Sequence, residues 1–386
     1  MKKRKICVVI LNRANYGRIK AVLKAVRSHP HLELQLVAGA STLLDRFGSV
    51  VDVIRSDGFR IDETLYMIIE GENPTTMAKS AGLGIIELST IFSNLEPDIV
   101  LTVADRFETL STAVAASYMN IPLAHTQGGE TTGSIDESVR HAVTKLAHLH
   151  FPATKKSKDR IIRMGETEKS VFLTGCPAID VIANMDLKID DGFAKRNTGH
   201  GVGLDPDYGK PYMVVLQHPV TTEYGDGLRQ INQTLSAVNE LGIQTIWLWP
   251  NVDAGSDDIS KGIRVFREMH KPHFMHFRKN FSVEDYAKLM NNCLCLVGNS
   301  SSGIREGSFL GVPVVNIGSR QNGRERAKNV LSVGYDKEGI KTAIRKQIKH
   351  GRYAKSLLYG DGKAAGRIAD KLAGWKIEIR KGLSYR

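Results

Sequence analysis

The chain has 386 residues, 42% of them apolar and 24% charged, which is enough to fill more than one hydrophobic core and excludes a disordered polymer. Its 53 Lys and Arg outweigh 41 Asp and Glu for a formal charge of +12, yet the basic residues are dispersed and carry no interleaved aromatics. That pattern argues against nucleic acid and fits a basic cleft for an anionic, phosphorylated ligand.

The charged start, residues 1–5, leads into an apolar run at 6–11 that is too short for a signal-peptide core or a membrane span, so a soluble, cytoplasmic protein is expected. Cys7, Cys176, Cys293 and Cys295 lie inside apolar stretches without metal-ligand spacing and read as small core residues of a reducing compartment, with no metal. From the first strand onward the chain repeats a short β-branched run, a polar turn and a longer amphipathic stretch. Predicted strands fall at 6–11, 33–38, 98–103, 122–126 and 171–174, with helices such as 75–95 and 107–119 between them. The strands are continuously apolar, as parallel strands covered on both faces are.

A glycine-rich, charged stretch at 187–210 has no periodicity and reads as a linker or loop. The rhythm then restarts, with strands at 212–217, 244–249, 273–277, 293–297 and 312–317 and helices such as 227–241 and 283–291. The fold class is therefore α/β: two Rossmann-like domains, at 1–180 and 181–365, facing a central cleft, with ligand chemistry at the strand C-termini. A last helix-like segment, within 366–386, is expected to cross back to the first domain.

Several strand ends carry chemistry-bearing residues. Residues 297–303 (Val-Gly-Asn-Ser-Ser-Ser-Gly) join a strand to a helix, where small residues and hydroxyls let backbone N–H groups cradle phosphate; Ser300 and Ser301 are the donors and Glu306 a ribose acceptor. The same run also reads as a Ser-rich helix cap with a surface glutamate. Arg320, after the strand at 312–317, is placed to clamp a diphosphate or else starts an exposed helix. His218 precedes Pro219 at another strand end and is either catalytic or structural. In the first half, residues 12–17 (Asn-Arg-Ala-Asn-Tyr-Gly) hold the position of a dinucleotide fingerprint without its glycines, which disfavours a nicotinamide cofactor and leaves Arg13 and Tyr16 to recognise phosphate or sugar. Asp105 and Arg106 sit at another strand end, after 98–103, Asp105 doubling as a candidate helix cap. The densest signal is 125–141, where Gln127, Gly128, Gly129, Glu130, Asp136 and Arg140 follow one strand; Asp136 and Arg140 also fit an ordinary i,i+4 pair.

Taken in order, these runs resemble the hydrolysing branch of the UDP-N-acetylglucosamine 2-epimerase family, which feeds sialic-acid-type nonulosonate synthesis. The likeness covers most of the chain and includes residues 12–14, 105–107, the Gly-Gly-Glu loop through Asp136, 140–142, 217–222 (Gln-His-Pro-Val-Thr-Thr), 250–256, 298–301 and 318–321. It implies the glycosyltransferase-B architecture, no metal or nicotinamide cofactor, a nucleotide-sugar substrate and a homodimer or homotetramer. The implied reaction removes the C2 proton and the nucleoside diphosphate to give a 2-acetamidoglucal, to which water adds with inversion at C2. On this resemblance Asp105, Asp136 and His218 are the acid–base candidates; Arg13, Arg106, Ser300 and Ser301 hold the substrate, with Tyr16, Glu130, Arg140 and Asn251 around it; Glu306 takes the ribose and Arg320 supports the nucleotide. Some relatives carry a glutamate where this chain has Gln127, and an amide takes up no proton at neutral pH, so the base is Asp136 or Asp105 or the chemistry is assisted differently. The implied substrate is UDP-N-acetylglucosamine, giving N-acetylmannosamine and UDP, or a UDP- or GDP-linked 2,4-diacetamido-2,4,6-trideoxyglucose. The rivals are a non-hydrolysing epimerase, a glycosyltransferase and a non-catalytic nucleotide-sugar sensor; the Gly-Gly-Glu loop and residues 217–222 argue against the first.

Overall fold

The structure, a computed structural model, describes residues 2–71, 73–251 and 253–384; Val252 of the 250–256 run and the last two residues of the expected C-terminal segment lie outside the described residues. The chain forms two compact units. The first comprises Met1–Thr131, Ile135–Asn184 and Tyr359–Arg386, the second Thr132–Ser134 and Met185–Leu358.

The first unit is built on β1 (Arg4–Ile10), β2 (Leu32–Gly39), β3 (Glu63–Leu65), β4 (Ile99–Val103), β5 (Leu123–Thr126) and β6 (Leu149–Phe151), in the order β3-β2-β1-β4-β5-β6 with every pair parallel. Cys7 and Val9 enter one core cluster. Ile6, Val8 and Ile10 are buried as well, which is why the strand has no polar face. The second unit repeats the order with β7 (Met213–Leu216), β8 (Thr245–Leu248), β9 (Met275–Arg278), β10 (Cys295–Gly298), β11 (Val314–Ile317) and β12 (Val330–Val333), arranged β12-β11-β10-β7-β8-β9, again all parallel. Each sheet reverses its winding between its first and fourth strands, so each has a switch point there, β1/β4 and β7/β10, where ligands bind in doubly wound folds.

Four local expectations change. Residues 171–174 contribute only a single bridge from Val171 to His150, and the strand itself is β6. β3 and β12 are additional edge strands; β12 has no buried residue. The expected linker contains a helix, Asp191–Asn197, whose Asp190 side chain accepts from the Phe193 backbone N–H at 2.7 Å, while the buried Phe193 ring meets Tyr208 edge-on at 4.9 Å. The C-terminal helix spans Ala364–Gly374, with both Asp180 carboxylate oxygens capping its first N–H groups at 3.0 and 2.6 Å. Residues 375–384 then leave the helix, because Arg4 takes the Leu372 and Trp375 carbonyls and Lys381 reaches back to Thr144 O at 3.1 Å.

Candidate active-site residues at the strand ends

At the β1/β4 switch point, Asn12 caps the helix Arg13–Ser28 by accepting from Asn15 N at 2.9 Å, and Asn15 reaches across to Val103 O at 3.4 Å. Arg13, the first helical residue, is half-buried there. The residues directly after β2, β4 and β5, namely Ala40, Ala104 and Gln127, all adopt left-handed backbone with φ of 51, 61 and 61°. Non-glycine residues pay about 1–3 kcal/mol each for this, a strain that collects where a site must be held open. His125 steadies the arrangement by joining β5 to Ala104 O at 2.7 Å, and burial drives its pKa down to about 3, so it is a neutral brace. The loop after β5 lies close against the helix Lys155–Arg163: a Cβ at Gly129, φ +74°, would stand 2.3 Å from Ser157 O.

Arg140, fully buried on the helix Asp136–Leu146, is the hub of this unit. It forms an ion pair with the buried Asp105 and donates to Glu130 O at 2.8 Å. Burial alone would lower its pKa, but Asp105, Glu130 and Asp136 together raise it above the ordinary arginine value. Three carboxylates thus gather around one permanent cation, and Arg18 stands 3.7 Å from the other Asp105 oxygen. Asp136 opens the helix and stays half-buried, the more accessible of the two candidate bases. Gln127 is fully buried; its Nε2 donates to Cys176 Sγ at 3.3 Å, and its Oε1 has no hydrogen-bond partner among the described residues.

Two expected ligands also have protein partners. The Tyr16 hydroxyl bonds to Asp57, which also pairs with the buried Lys20 at 2.7 Å, so Tyr16 anchors the helix rather than presenting a free phenol. Arg106 is buried, with its fork turned to the fully buried Glu108 at 3.3 and 3.5 Å. It also occupies the cap position expected of Asp105, with no side-chain capping bond. Arg140 pairs with Asp105, and the Asp136 charge one turn before it also helps raise its pKa.

In the second unit the β7/β10 switch point brings His218 and Asn299 together. The Asn299 amide accepts from His218 N at 2.7 Å and donates to His218 O at 2.8 Å, clamping the two strand ends. Gly298 permits this approach: with φ +126°, a Cβ there would lie 2.1 Å from Leu216 O. The Asn251 backbone N–H donates to His218 Nδ1 at 3.1 Å, which puts the proton of the neutral ring on Nε2 and makes the ring a donor on that side. Ser300 caps the short helix Ser301–Ile304 through Ser302 N, and Arg305 separates that helix from Glu306–Leu310, so Glu306 begins a second turn. Arg320 and Gln321 both donate to Asn299 O, at 3.3 and 2.8 Å.

Asn299 and Glu223 were not singled out in the sequence, nor was the buried Glu166. In the first unit Glu166 takes Lys145 at 2.5 Å, Lys381 at 2.7 Å and His150 at 3.1 Å. Burial would raise the Glu166 pKa, but these three donors hold it down to about 2. All four cysteines are buried. Among the described residues no group of three His, Cys, Asp or Glu is arranged to hold a metal ion, and no helix is long and apolar enough to cross a membrane.

This geometry agrees with known proteins along nearly the whole chain. Residues 24–373 match the family described as UDP-N-acetylglucosamine 2-epimerase. A Legionella pneumophila UDP-N,N'-diacetylbacillosamine 2-epimerase (hydrolyzing) is 35% identical over 373 residues, covering 94% of each chain. A Campylobacter jejuni GDP/UDP-N,N'-diacetylbacillosamine 2-epimerase (hydrolyzing) is 31% identical over 333 residues, 86% of this chain and 84% of the relative. Among solved structures, the Neisseria meningitidis UDP-GlcNAc 2-epimerase bound to UDP-GlcNAc shares the fold, with a TM-score of 0.79 at 18% identity over 95% of this chain and 99% of that one. The family match, the sequence likeness and the shared fold agree with the resemblance carried by the motifs: the chain belongs to the UDP-N-acetylglucosamine 2-epimerase family.

Proposed function

We propose that the protein is a hydrolysing 2-epimerase acting on UDP-N,N'-diacetylbacillosamine, a 2,4-diacetamido-2,4,6-trideoxyglucose, and releasing the corresponding free mannose-configured sugar and UDP. The observation that carries the reaction class is the Arg140 hub, where Asp105, Glu130 and Asp136 converge on one buried guanidinium. The choice of sugar follows the names of two relatives, 35% and 31% identical to this chain.

In this reading Asp136 takes the C2 proton while the C1–O bond breaks and its electrons leave with the diphosphate, giving a glycal. Water then delivers hydroxyl to C1, and a proton returns to C2 from the opposite face. Asp105 is the less suitable base because its carboxylate is buried in ion pairs with Arg140 and Arg18, which stabilise its charged form. For the nucleotide, Ser300, Ser301 and Arg320 take the diphosphate, Glu306 the ribose, and the Nε2–H of His218 is a fixed donor to developing negative charge. Asn251 acts through His218.

Nucleoside diphosphate release, followed for the UDP- and GDP-linked diacetamido sugar and for UDP-N-acetylglucosamine, tests the assignment. A kcat/KM at least tenfold higher for a diacetamido substrate is expected. Faster turnover of UDP-N-acetylglucosamine would instead establish N-acetylmannosamine as the product, and no release from any of them would refute a hydrolytic enzyme.

A further inference from the structure

Arg320 sits in an irregular loop between β11 and β12, where no helix or strand fixes its backbone. The loop is held on one side by Asn299, whose carbonyl receives Arg320 Nη1 and Gln321 Nε2. On its other side lies Glu223, in the short turn Thr221–Glu223 that follows His218. The half-buried Glu223 carboxylate accepts from the Ser319 hydroxyl on one oxygen. Its other oxygen accepts from the Tyr335 hydroxyl at 2.9 Å and from Gln230 Nε2 at 2.6 Å. Ser319 immediately precedes Arg320, and the Tyr335 ring lies so close to Gly318 that a Cβ there would stand 2.2 Å from it. One carboxylate therefore ties the segment after β7 to Ser319 and, through Tyr335, to Gly318, the two residues that lead into Arg320.

The chemistry of the three donors explains why a carboxylate occupies this position. Two hydroxyls and an amide N–H all point at it, and an ionised carboxylate offers acceptor sites to all three. A glutamine would replace one accepting oxygen by an N–H pair, so a hydroxyl on that side would have to reverse its bond and accept instead of donate. Burial and the Glu223 charge both push the Tyr335 hydroxyl pKa up, which keeps that phenol a donor.

We propose that Glu223 is a positioning residue for nucleotide binding, setting the backbone on which Arg320 meets the diphosphate. The proposal rests on the nucleotide-sugar reading above. Positional control of one charged contact is worth roughly tenfold in affinity.

The test is calorimetric titration of UDP into the full chain and its Glu223→Gln, Ser319→Ala and Tyr335→Phe variants, with thermal melts and steady-state kinetics alongside. Glu223→Gln and Ser319→Ala are expected to weaken UDP roughly tenfold and raise KM similarly while kcat stays within about twofold, and the double variant is expected to be no weaker than the worse single one. Ser319→Ala removes only a hydroxyl and carries the test if Glu223→Gln does not fold. Folded variants that bind UDP as the parent does would overturn the positioning role alone. A parent protein that binds neither UDP nor GDP would overturn the nucleotide reading and this proposal with it.

Discussion

Replacing Arg140 by methionine perturbs the structure where its electrostatics are most concentrated. The Arg140 side chain has no exposed surface and that of Asp105 only 6%. Removing one partner of such a pair leaves a buried, uncompensated charge, at a cost of about 3–5 kcal/mol. Asp105→Asn should cost less, because Arg140 keeps its bond to Glu130 O and its proximity to Glu130 and Asp136. Combining Arg140→Met with Asp105→Leu removes both charges and should recover much of the loss. For a unit of this size, about 3–5 kcal/mol lowers the melting temperature by about 6–20 °C. Urea and thermal unfolding followed by circular dichroism read these differences directly. The reasoning is refuted if Arg140→Met stays within about 1 kcal/mol of the parent, or if Asp105→Asn proves the more damaging of the two.

Three further perturbations test other parts of the structure. Glu166 has a folded pKa of about 2 against an ordinary 4.5, so its stabilisation is fully present above the unfolded value and is lost as pH falls through the folded one. Glu166→Gln should therefore cost about 3 kcal/mol at neutral pH, with the urea-midpoint gap from the parent narrowing between pH 4.5 and about 2; a gap constant with pH would contradict the network. Gly298→Ala drives a Cβ to 2.1 Å from Leu216 O and should destabilise by at least about 2 kcal/mol while also reducing turnover; an unchanged melting temperature would show that β7 and β10 tolerate separation. Asp136→Asn should lower kcat about 10²–10⁴-fold and leave UDP affinity within about twofold, as measured by turnover and calorimetry, whereas near-normal kcat would move the base elsewhere.

The interior strands were legible because their central residues are buried on both faces, so β1, β4, β7 and β10 carry mostly apolar runs. β3, the triplet Glu-Thr-Leu at a sheet edge, and β12, with no buried residue, carry too little apolar signal to be seen. Asp191–Asn197 was hidden for a related reason: it is short, and Phe193 is its one large apolar residue amid charged, polar and small ones. Site residues close in sequence and at strand ends could be read from motifs, as with Asp136 and Arg140 or Ser300 and Ser301. The roles of Glu223 and Glu166 depend on partners far away along the chain, Ser319 being 96 and Tyr335 112 residues from Glu223, and no local pattern encodes such pairings. The contact of Arg106 with Glu108, two residues away, is hidden for a different reason: sequence spacing does not show which way a guanidinium turns.

Hydrolytic epimerisation is tested most directly by running the reaction in deuterium oxide and, separately, in ¹⁸O-water, with UDP-N,N'-diacetylbacillosamine and UDP-N-acetylglucosamine as substrates, and examining the products by proton NMR and mass spectrometry. The account predicts a free sugar with inverted C2 that carries one deuterium at C2 and the water oxygen at C1, with UDP unlabelled. A nucleotide-linked epimer, a free sugar with its C2 proton retained, or ¹⁸O in the released UDP would contradict it.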